Sequence, residues 1–157
     1  MVTTPLPQEG TLLFFGPYLE VDHPAVGGSH VICAPAHQQL SRPPWPKDLP
    51  AEARFAAVYL EPAIEITVPQ HIDAWPECQG EIVEREMTTR IAGPVHRMLG
   101  DPDLIQGYEV GELVMQFDSD AEAGFIWGDS GMLYFTVEAL EALGRDFGTV
   151  EAHVESG

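Results

Sequence analysis

Hydrophobic and polar positions alternate most clearly in the second half of the chain. Over residues 112–118 apolar side chains recur at every second position, and this period of two predicts a β-strand. Residues 131–137 (GMLYFTV) are almost wholly apolar, which predicts a strand covered on both faces. We therefore expect residues 112–137 to form two strands of a buried sheet joined by an acidic turn, with Trp127 packed in the core beneath the turn.

Further apolar runs, bounded by glycine or proline, predict the remaining elements. The predicted strands are residues 11–15, 29–33, 54–60, 63–68 and 147–154. Helical spacing and stop signals predict helices over residues 81–91 and 137–143, and a short helical turn over residues 95–99.

The proline distribution and the chain length indicate the fold class. Twelve of the 14 prolines precede residue 77, and proline interrupts both helix interiors and central strands. The sequence therefore predicts an α+β fold that is mainly β, with an antiparallel or mixed sheet, a few short helices and long proline-rich loops. A chain of 157 residues fits one domain, residues 1–157.

The net charge restricts the classes of partner. The chain has 25 acidic residues against 7 lysines and arginines, a formal charge of −18. Such a surface repels phosphate backbones and anionic lipids, so we expect no nucleic-acid partner and no membrane partner. It favours a basic protein or a cation, although solubility alone also explains an acidic surface.

Cysteine content and the apolar runs bear on the compartment. Two distant thiols, Cys33 and Cys78, suit a reducing cytosol better than a secreted disulfide scaffold, although a bond between them stays an alternative. No apolar run approaches the ~18 residues of a membrane span, and the N-terminus has no signal-peptide pattern. We therefore expect a cytoplasmic protein.

The acidic turn is the first candidate for chemistry. If the carboxylates of Asp118, Asp120 and Asp129 converge, their oxygens could hold a hard cation such as Ca²⁺ or Mg²⁺. Their spacing does not match the EF-hand loop. The alternative interpretation is that these side chains accept hydrogen bonds from the amides of the turn.

Other constellations are weaker. His23, His30 and His37 recur every seven residues, but the intervening glycines and prolines argue against a helix that would align them. Cys78 lies near His71 in the sequence and could pair with it or with His96, which by itself does not make a nucleophile. The common nucleophile, phosphate-binding, zinc-protease and dinucleotide motifs are missing from the sequence. The sequence therefore favours a non-catalytic role and predicts no cofactor beyond the Ca²⁺ or Mg²⁺ alternative.

Three ordered motifs resemble those of the YwqG-like family, a bacterial family of unknown function. They are HRMLGDPDLIQG at residues 96–107, LVMQFDSD at 113–120 and WGDSGMLYFTV at 127–137, preceded by GTLLFF near the start. The resemblance extends over about residues 6–150. The matching positions are His96, Leu99, Gly100, Pro102, Ile105 and Gln106 in the first motif, Leu113, Gln116, Asp118, Ser119 and Asp120 in the second, and Trp127, Gly128, Asp129, Gly131, Leu133, Tyr134 and Phe135 in the third.

The resemblance implies a mainly β, α+β fold and no particular activity. Family members occur beside bacterial toxin systems, which suggests an immunity or regulatory role. Asp101 departs from the family, which often has an aromatic residue there. The chain also begins at the GTLLFF segment, whereas family members usually have a leading portion before it. Losing strands in this way would expose a sheet edge and favour a homodimer.

Three functions follow as hypotheses. The first is a non-catalytic acidic binding module, immunity-like or regulatory, that recognises a basic protein. The alternative is a small-ligand or divalent-cation-binding domain, with His96, Gln106 and Asp129 at the ligand site and Asp118, Asp120 and Asp129 at the metal site. The third is a hydrolase for which no catalytic residues can be assigned.

Overall fold

The computed structural model describes residues 5–16, 29–51, 54–65, 67, 94–106, 111–143 and 146–156. Within these ranges the chain forms two antiparallel sheets, so the mainly β prediction is confirmed. The first sheet pairs β1 (Thr11–Phe15) with β2 (His30–Ala34). The second has four strands in the order β3 (Arg97–Met98), β4 (Glu112–Asp118), β5 (Met132–Val137) and β6 (Glu151–Glu155). A short helix, α1 (Leu140–Leu143), and a 3₁₀-helix, Phe147–Thr149, connect β5 to β6.

The predicted pair of strands around the acidic turn is confirmed. β4 and β5 pair antiparallel, and every residue of β5 is buried, as an apolar strand covered on both faces requires. Trp127 lies in the core with 9% of its surface exposed. The register shifts between Leu113 and Met115, so a bulge turns Leu113 away from the face that Met115 shares with Phe117. Strict alternation along β4 would have placed all three on one face.

The two faces of the four-stranded sheet pack against different parts of the chain. One face carries Leu133 and Phe135, and the β1–β2 sheet packs against it through Phe14 and Val31. Val31, Leu133 and Phe135 belong to the larger of the two hydrophobic core clusters. The other face carries Leu113, Met132 and Tyr134, and the loop residues Leu104 and Ile105 cover it.

Several predicted elements differ from the structure at their ends. The strand predicted over residues 29–33 is β2, shifted by one residue. The helix predicted over residues 137–143 is shorter, because Val137 remains hydrogen-bonded in β5. The last strand begins only at Glu151, after the 3₁₀-helix, where the side chain of Asp146 accepts a hydrogen bond from the N–H of Gly148.

The helical turn predicted over residues 95–99 is wrong. The N–H of Val95 donates to Asp118 Oδ2 at 2.9 Å, and its carbonyl accepts from Gln116 Nε2 at 3.2 Å. Because side chains of β4 bind these backbone groups, the segment lies beside β4 and continues as strand β3. It then turns through Leu99 and Gly100, whose φ angles are 61° and 79°.

The strand predicted over residues 54–60 is also wrong, and residues 63–65 and 67 of the strand predicted over 63–68 show no regular structure. Only Phe55 and Ala56 are attached to the core, Phe55 by its ring and Ala56 by a hydrogen bond to the carbonyl of Ala123. Tyr59 and Ile64 are almost completely exposed. The apolar run has no neighbouring strand among the described residues, and a strand needs one to satisfy its backbone groups.

Some predictions fall outside the described residues. The helix over residues 81–91 and the histidines His23 and His71 are among them, as is Cys78. Cys33 is a half-buried free thiol. None of the helices in the described ranges has the length and hydropathy to cross a bilayer.

Candidate functional site

The acidic turn between β4 and β5 is held by its own carboxylates. Asp120 Oδ1 accepts hydrogen bonds from the backbone N–H groups of Glu122 at 2.8 Å and Ala123 at 3.1 Å. Asp118 Oδ2 accepts from the N–H of Val95. The N–H of Ala123 contributes most to holding the pKa of Asp120 below its ordinary value, with Glu122 and His96 adding to it against the effect of burial. Asp120 therefore binds amides of the turn, as the alternative interpretation expects, whereas Asp118 binds the amide of Val95, which lies outside the turn.

His96, directly before β3, contacts the end of the turn that follows β4. Its Nδ1 accepts a hydrogen bond from the N–H of Asp118 at 3.2 Å, and its Nε2 lies 3.4 Å from Asp120 Oδ2. This geometry places the proton on Nε2. The ring lies about 6 Å from those of Phe117 and Phe125, and only 8% of the side chain is exposed. His96 therefore acts as a bridge between backbone and carboxylate.

The other two predicted site residues lie elsewhere. Asp129 is exposed at the end of the turn. Gln106 donates its backbone N–H to Glu155 Oε2 at 3.0 Å and its Nε2–H to the carbonyl of Ser156 at 2.5 Å. The structure thus brings His96, Asp118 and Asp120 together. Among the described residues, no three His, Cys, Asp or Glu side chains are arranged to hold a metal ion. The Ca²⁺ or Mg²⁺ site stays a prediction.

A row of polar side chains crosses the second face of the four-stranded sheet. Arg97, Gln116, Tyr134 and His153 are successive cross-strand neighbours, one from each of β3, β4, β5 and β6. Gln116 and Tyr134 are completely buried. Because cross-strand neighbours point to the same face, the row presents donors and acceptors along one line.

The row binds the loop of residues 101–106, which is part of the first motif. Arg97 Nη1 donates to the carbonyl of Asp101 at 2.9 Å. Gln116 Oε1 accepts from the N–H of Asp103 at 2.8 Å, and Tyr134 Oη donates to the carbonyl of Asp103 at 2.7 Å. Glu155 Oε2, also on β6, accepts from two further N–H groups of the loop. This motif is therefore attached across the sheet, one strand after another.

The β6 end of the row contains buried polar atoms. The ring of His153 stacks on Tyr134, with centroids 5.0 Å apart and planes 17° from parallel. Burial lowers the pKa of His153, while the charges of Glu155 and Glu151 act in the opposite direction. Glu155 Oε1 and His153 Nε2 are buried and have no hydrogen-bond partner among the described residues.

An aromatic pocket lies between the two sheets, on the face opposite the polar row. Its volume is about 720 Å³. β1 contributes Phe14, and the four-stranded sheet contributes Phe117 and Phe135. We call it the aromatic pocket; its lining residues are Phe14, Phe15, Gly16, Arg42, Pro43, Pro44, Trp45, Pro46, Leu49, Phe55, Phe117, Phe125, Trp127, Leu133 and Phe135.

Sequence reasoning missed this pocket, although two signals were present. Phe117 and Phe135 lie on paired strands, which places aromatic rings on one sheet face. The proline-rich segment of residues 43–46 contains Trp45, which is 42% exposed in the structure. A large aromatic residue held in a proline-rich loop is a common feature of recognition surfaces.

The described lining of the aromatic pocket contains one charged residue. It is Arg42, whose guanidinium carbon lies 4.6 Å from the centroid of the Trp45 ring. Within the described part of the chain Arg42 forms no ion pair.

Comparison with known proteins identifies a family for this chain but no function. No curated protein and no solved structure matches the chain. A family model described as "Domain of unknown function (DUF1963)" matches residues 2–154, and the chain therefore belongs to that family.

Proposed function

We propose that the domain binds a small, mainly apolar molecule in the aromatic pocket and does not convert it chemically. The observation that carries this proposal is the pocket itself, a cavity of about 720 Å³ between two sheets. Sites for small organic molecules typically measure roughly 300–1,000 Å³ and are lined by hydrophobic and aromatic side chains.

The walls of the pocket are supported by packing. Phe14 lies edge-on to Phe135 at 5.1 Å and to Phe117 at 6.0 Å, and Phe55 lies edge-on to Trp127 at 6.2 Å. Edge-to-face pairs stabilise such aromatic arrangements beyond simple burial. A preformed wall loses little side-chain entropy when a ligand enters, so it favours binding.

The lining supports binding rather than catalysis. Among the lining residues that the structure describes there is no carboxylate, imidazole, thiol or hydroxyl side chain. General acid–base or nucleophilic chemistry requires such a group within hydrogen-bonding distance of the substrate. His96 and Asp120 are near the pocket only through Phe117 and Phe125, and their polar atoms contact each other and the turn backbone.

An apolar fluorescent probe tests the proposal. We expect 1-naphthylacetamide to bind with a stoichiometry of one per chain, measured by isothermal titration calorimetry. The variant Trp45→Ala removes one wall of the pocket from an exposed position and should weaken binding severalfold. Tyr59→Ala is the matched control, because Tyr59 is 98% exposed and does not line the pocket. Equal binding by both variants, or no binding by the parent protein, contradicts the proposal.

A second candidate is recognition of a basic protein by the acidic surface. The formal charge is −18, and four carboxylates between residues 138 and 151 are exposed: Glu138, Glu141, Asp146 and Glu151. Charge complementarity of this kind accelerates association and makes it sensitive to salt. This role does not require the pocket, so the two functions are compatible.

Replacing these four carboxylates by lysine tests the second candidate. A basic test protein should bind the parent domain at low salt, with affinity that falls as salt is raised, and should bind the variant much more weakly. Replacing the same four carboxylates by asparagine gives a variant whose net charge lies between those of the parent domain and the lysine variant. Association that is unchanged in the lysine variant would exclude this surface.

The YwqG-like name, an immunity-like or regulatory role, a cytoplasmic location and a homodimer are further proposals. The three ordered motifs support a YwqG-like assignment with an immunity-like or regulatory role, and the two cysteines support a cytoplasmic location. A solution mass of 17.2 kDa at high concentration would exclude the dimer.

A further inference from the structure

We infer that the aromatic pocket selects apolar molecules that carry a single anionic group, and that Arg42 binds this group. The inference rests on the proposed function and specifies its ligand class: an aromatic or bulky aliphatic body that ends in a carboxylate or a similar anion.

The described lining of the pocket carries a positive charge, opposite in sign to the net charge of the protein. The chain has 25 acidic residues and only 7 lysines and arginines, yet the one charged residue among the described lining residues is an arginine. The other described lining residues are aliphatic, aromatic, proline or glycine. A polar group placed singly in an apolar pocket fixes the orientation of a ligand and determines which ligands bind.

Arg42 differs from the other described arginines in its partners. The other described arginines have partners: Arg54 donates to the carbonyl of Leu49 at 2.9 Å, and Arg97 donates to Asp101 and lies 3.5 Å from a carboxylate oxygen of Glu65. Arg42 instead lies against the ring of Trp45, with no ion pair among the described residues. It is therefore a cation without a carboxylate in a strongly acidic protein.

The contact between Arg42 and the Trp45 ring determines which part of the guanidinium group is available to a ligand. A guanidinium group over an aromatic ring uses its face for the contact and keeps its N–H groups at the edge. Those N–H groups match the two oxygens of a carboxylate, which they bind in a bidentate manner. Trp45 thus orients Arg42 at the pocket while its hydrogen-bonding edge stays available.

The net charge of the protein opposes an anion only weakly at this position. At physiological salt the Debye length is about 8 Å, so carboxylates beyond that distance contribute little. A direct contact with Arg42 acts within hydrogen-bonding distance. Since Arg42 is exposed, we expect a moderate gain, roughly three- to tenfold in affinity, rather than the larger gain of a buried ion pair.

A pair of matched probes tests this inference at about 0.15 M salt. 1-Naphthylacetate and 1-naphthylacetamide have the same apolar body and differ in charge. We expect the parent domain to bind the acid three- to tenfold more tightly than the amide, measured by isothermal titration calorimetry. Arg42→Gln should bind the acid and the amide with equal affinity, whereas Arg42→Lys should retain part of the preference for the acid because lysine keeps the charge but lacks the planar fork.

Lys47 supplies the control. It is an exposed cation of the same proline-rich segment that does not line the pocket, so Lys47→Gln changes the net charge equally and should keep the preference for the acid. Equal affinity of the parent domain for both probes would overturn the inference and leave the pocket function intact. A preference that persists in Arg42→Gln would overturn it too. Binding of neither probe would overturn the proposed function itself.

Discussion

The side-chain oxygen of Gln116 accepts a hydrogen bond from the backbone N–H of Asp103 at 2.8 Å, at a position where Gln116 has no exposed surface. The other end of the same side chain donates to the carbonyl of Val95. One buried amide on β4 therefore joins the loop of the first motif to the segment that enters β3. A buried amide that satisfies two backbone groups is costly to replace.

Replacing Gln116 by leucine should destabilise the domain strongly. The variant keeps the approximate volume but leaves the N–H of Asp103 and the carbonyl of Val95 without their partners. We expect a loss of about 3 kcal/mol in the free energy of unfolding, measured by urea denaturation. Gln39→Leu, at an exposed position, should change it by less than about 0.5 kcal/mol. Similar values for the two variants would argue against the role of the polar row.

The bridge formed by His96 should also contribute to stability. His96→Phe keeps a ring between Phe117 and Phe125 but cannot accept the hydrogen bond from the N–H of Asp118 or donate to Asp120. We expect a loss of about 1–3 kcal/mol in the free energy of unfolding. His37→Phe, on the exposed surface, is the control and should have little effect. An active-site role for His96 would instead predict lost function with unchanged stability.

The stability of the domain should fall in acid in two steps. Burial lowers the pKa of His153 below its ordinary value of 6.5, so the unfolded chain takes up a proton there more readily than the folded one. The stability contributed by the neutral ring is therefore present above pH 6.5 and is lost as the pH falls below it. The pKa of Asp120 is also lowered, so its contribution is lost only below its ordinary value of 3.8.

Denaturation at a series of pH values checks this order. His153→Phe should keep the stacking on Tyr134 and flatten the pH dependence that begins below about pH 6.5, while leaving the loss below about pH 3.8. Asp120→Asn should affect the loss below about pH 3.8. If His153→Phe leaves the upper step unchanged, its burial does not cause that step.

Millimolar Ca²⁺ or Mg²⁺ should leave the melting temperature unchanged. Asp120 Oδ1 and Asp118 Oδ2 already accept hydrogen bonds from backbone N–H groups, and a hard cation requires six or more oxygen ligands. Asp129, which is exposed, provides only one carboxylate. A rise in melting temperature that disappears in Asp129→Asn would contradict this expectation and support the cation site predicted from the sequence.

The sequence was informative where the structure is local and regular. β4 and β5 were predicted because buried strands leave a periodic or continuous apolar pattern. The bulge near Leu113 was not predicted, because an extra residue leaves no mark in the identity of its neighbours. Residues 54–60 have the same apolar composition as a strand, but only Phe55 and Ala56 contact the core. Composition does not reveal whether a strand has a partner.

The two features that matter most for function depend on long-range pairing. The polar row joins Arg97 to His153 through the register of four strands, and the aromatic pocket joins Phe14 to Phe135 across two sheets. Apart from β4 and β5, which follow each other around one turn, the sequence did not show which strands are neighbours. It did mark His96, Asp118 and Asp120, in two candidate sites that also included Gln106 and Asp129, and the structure brings only these three together.

The location of a bound apolar probe tests the central claim most directly. In a ¹⁵N-labelled domain titrated with 1-naphthylacetamide, we predict that the indole N–H signals of Trp45 and Trp127 and the backbone signals of Phe117 and Leu133 shift together with one dissociation constant. The signals of Glu122 and Asp129 in the acidic turn should stay in place. Shifts confined to the acidic turn, or no saturable shift at the pocket residues, would contradict the proposal that this domain binds apolar ligands between its two sheets.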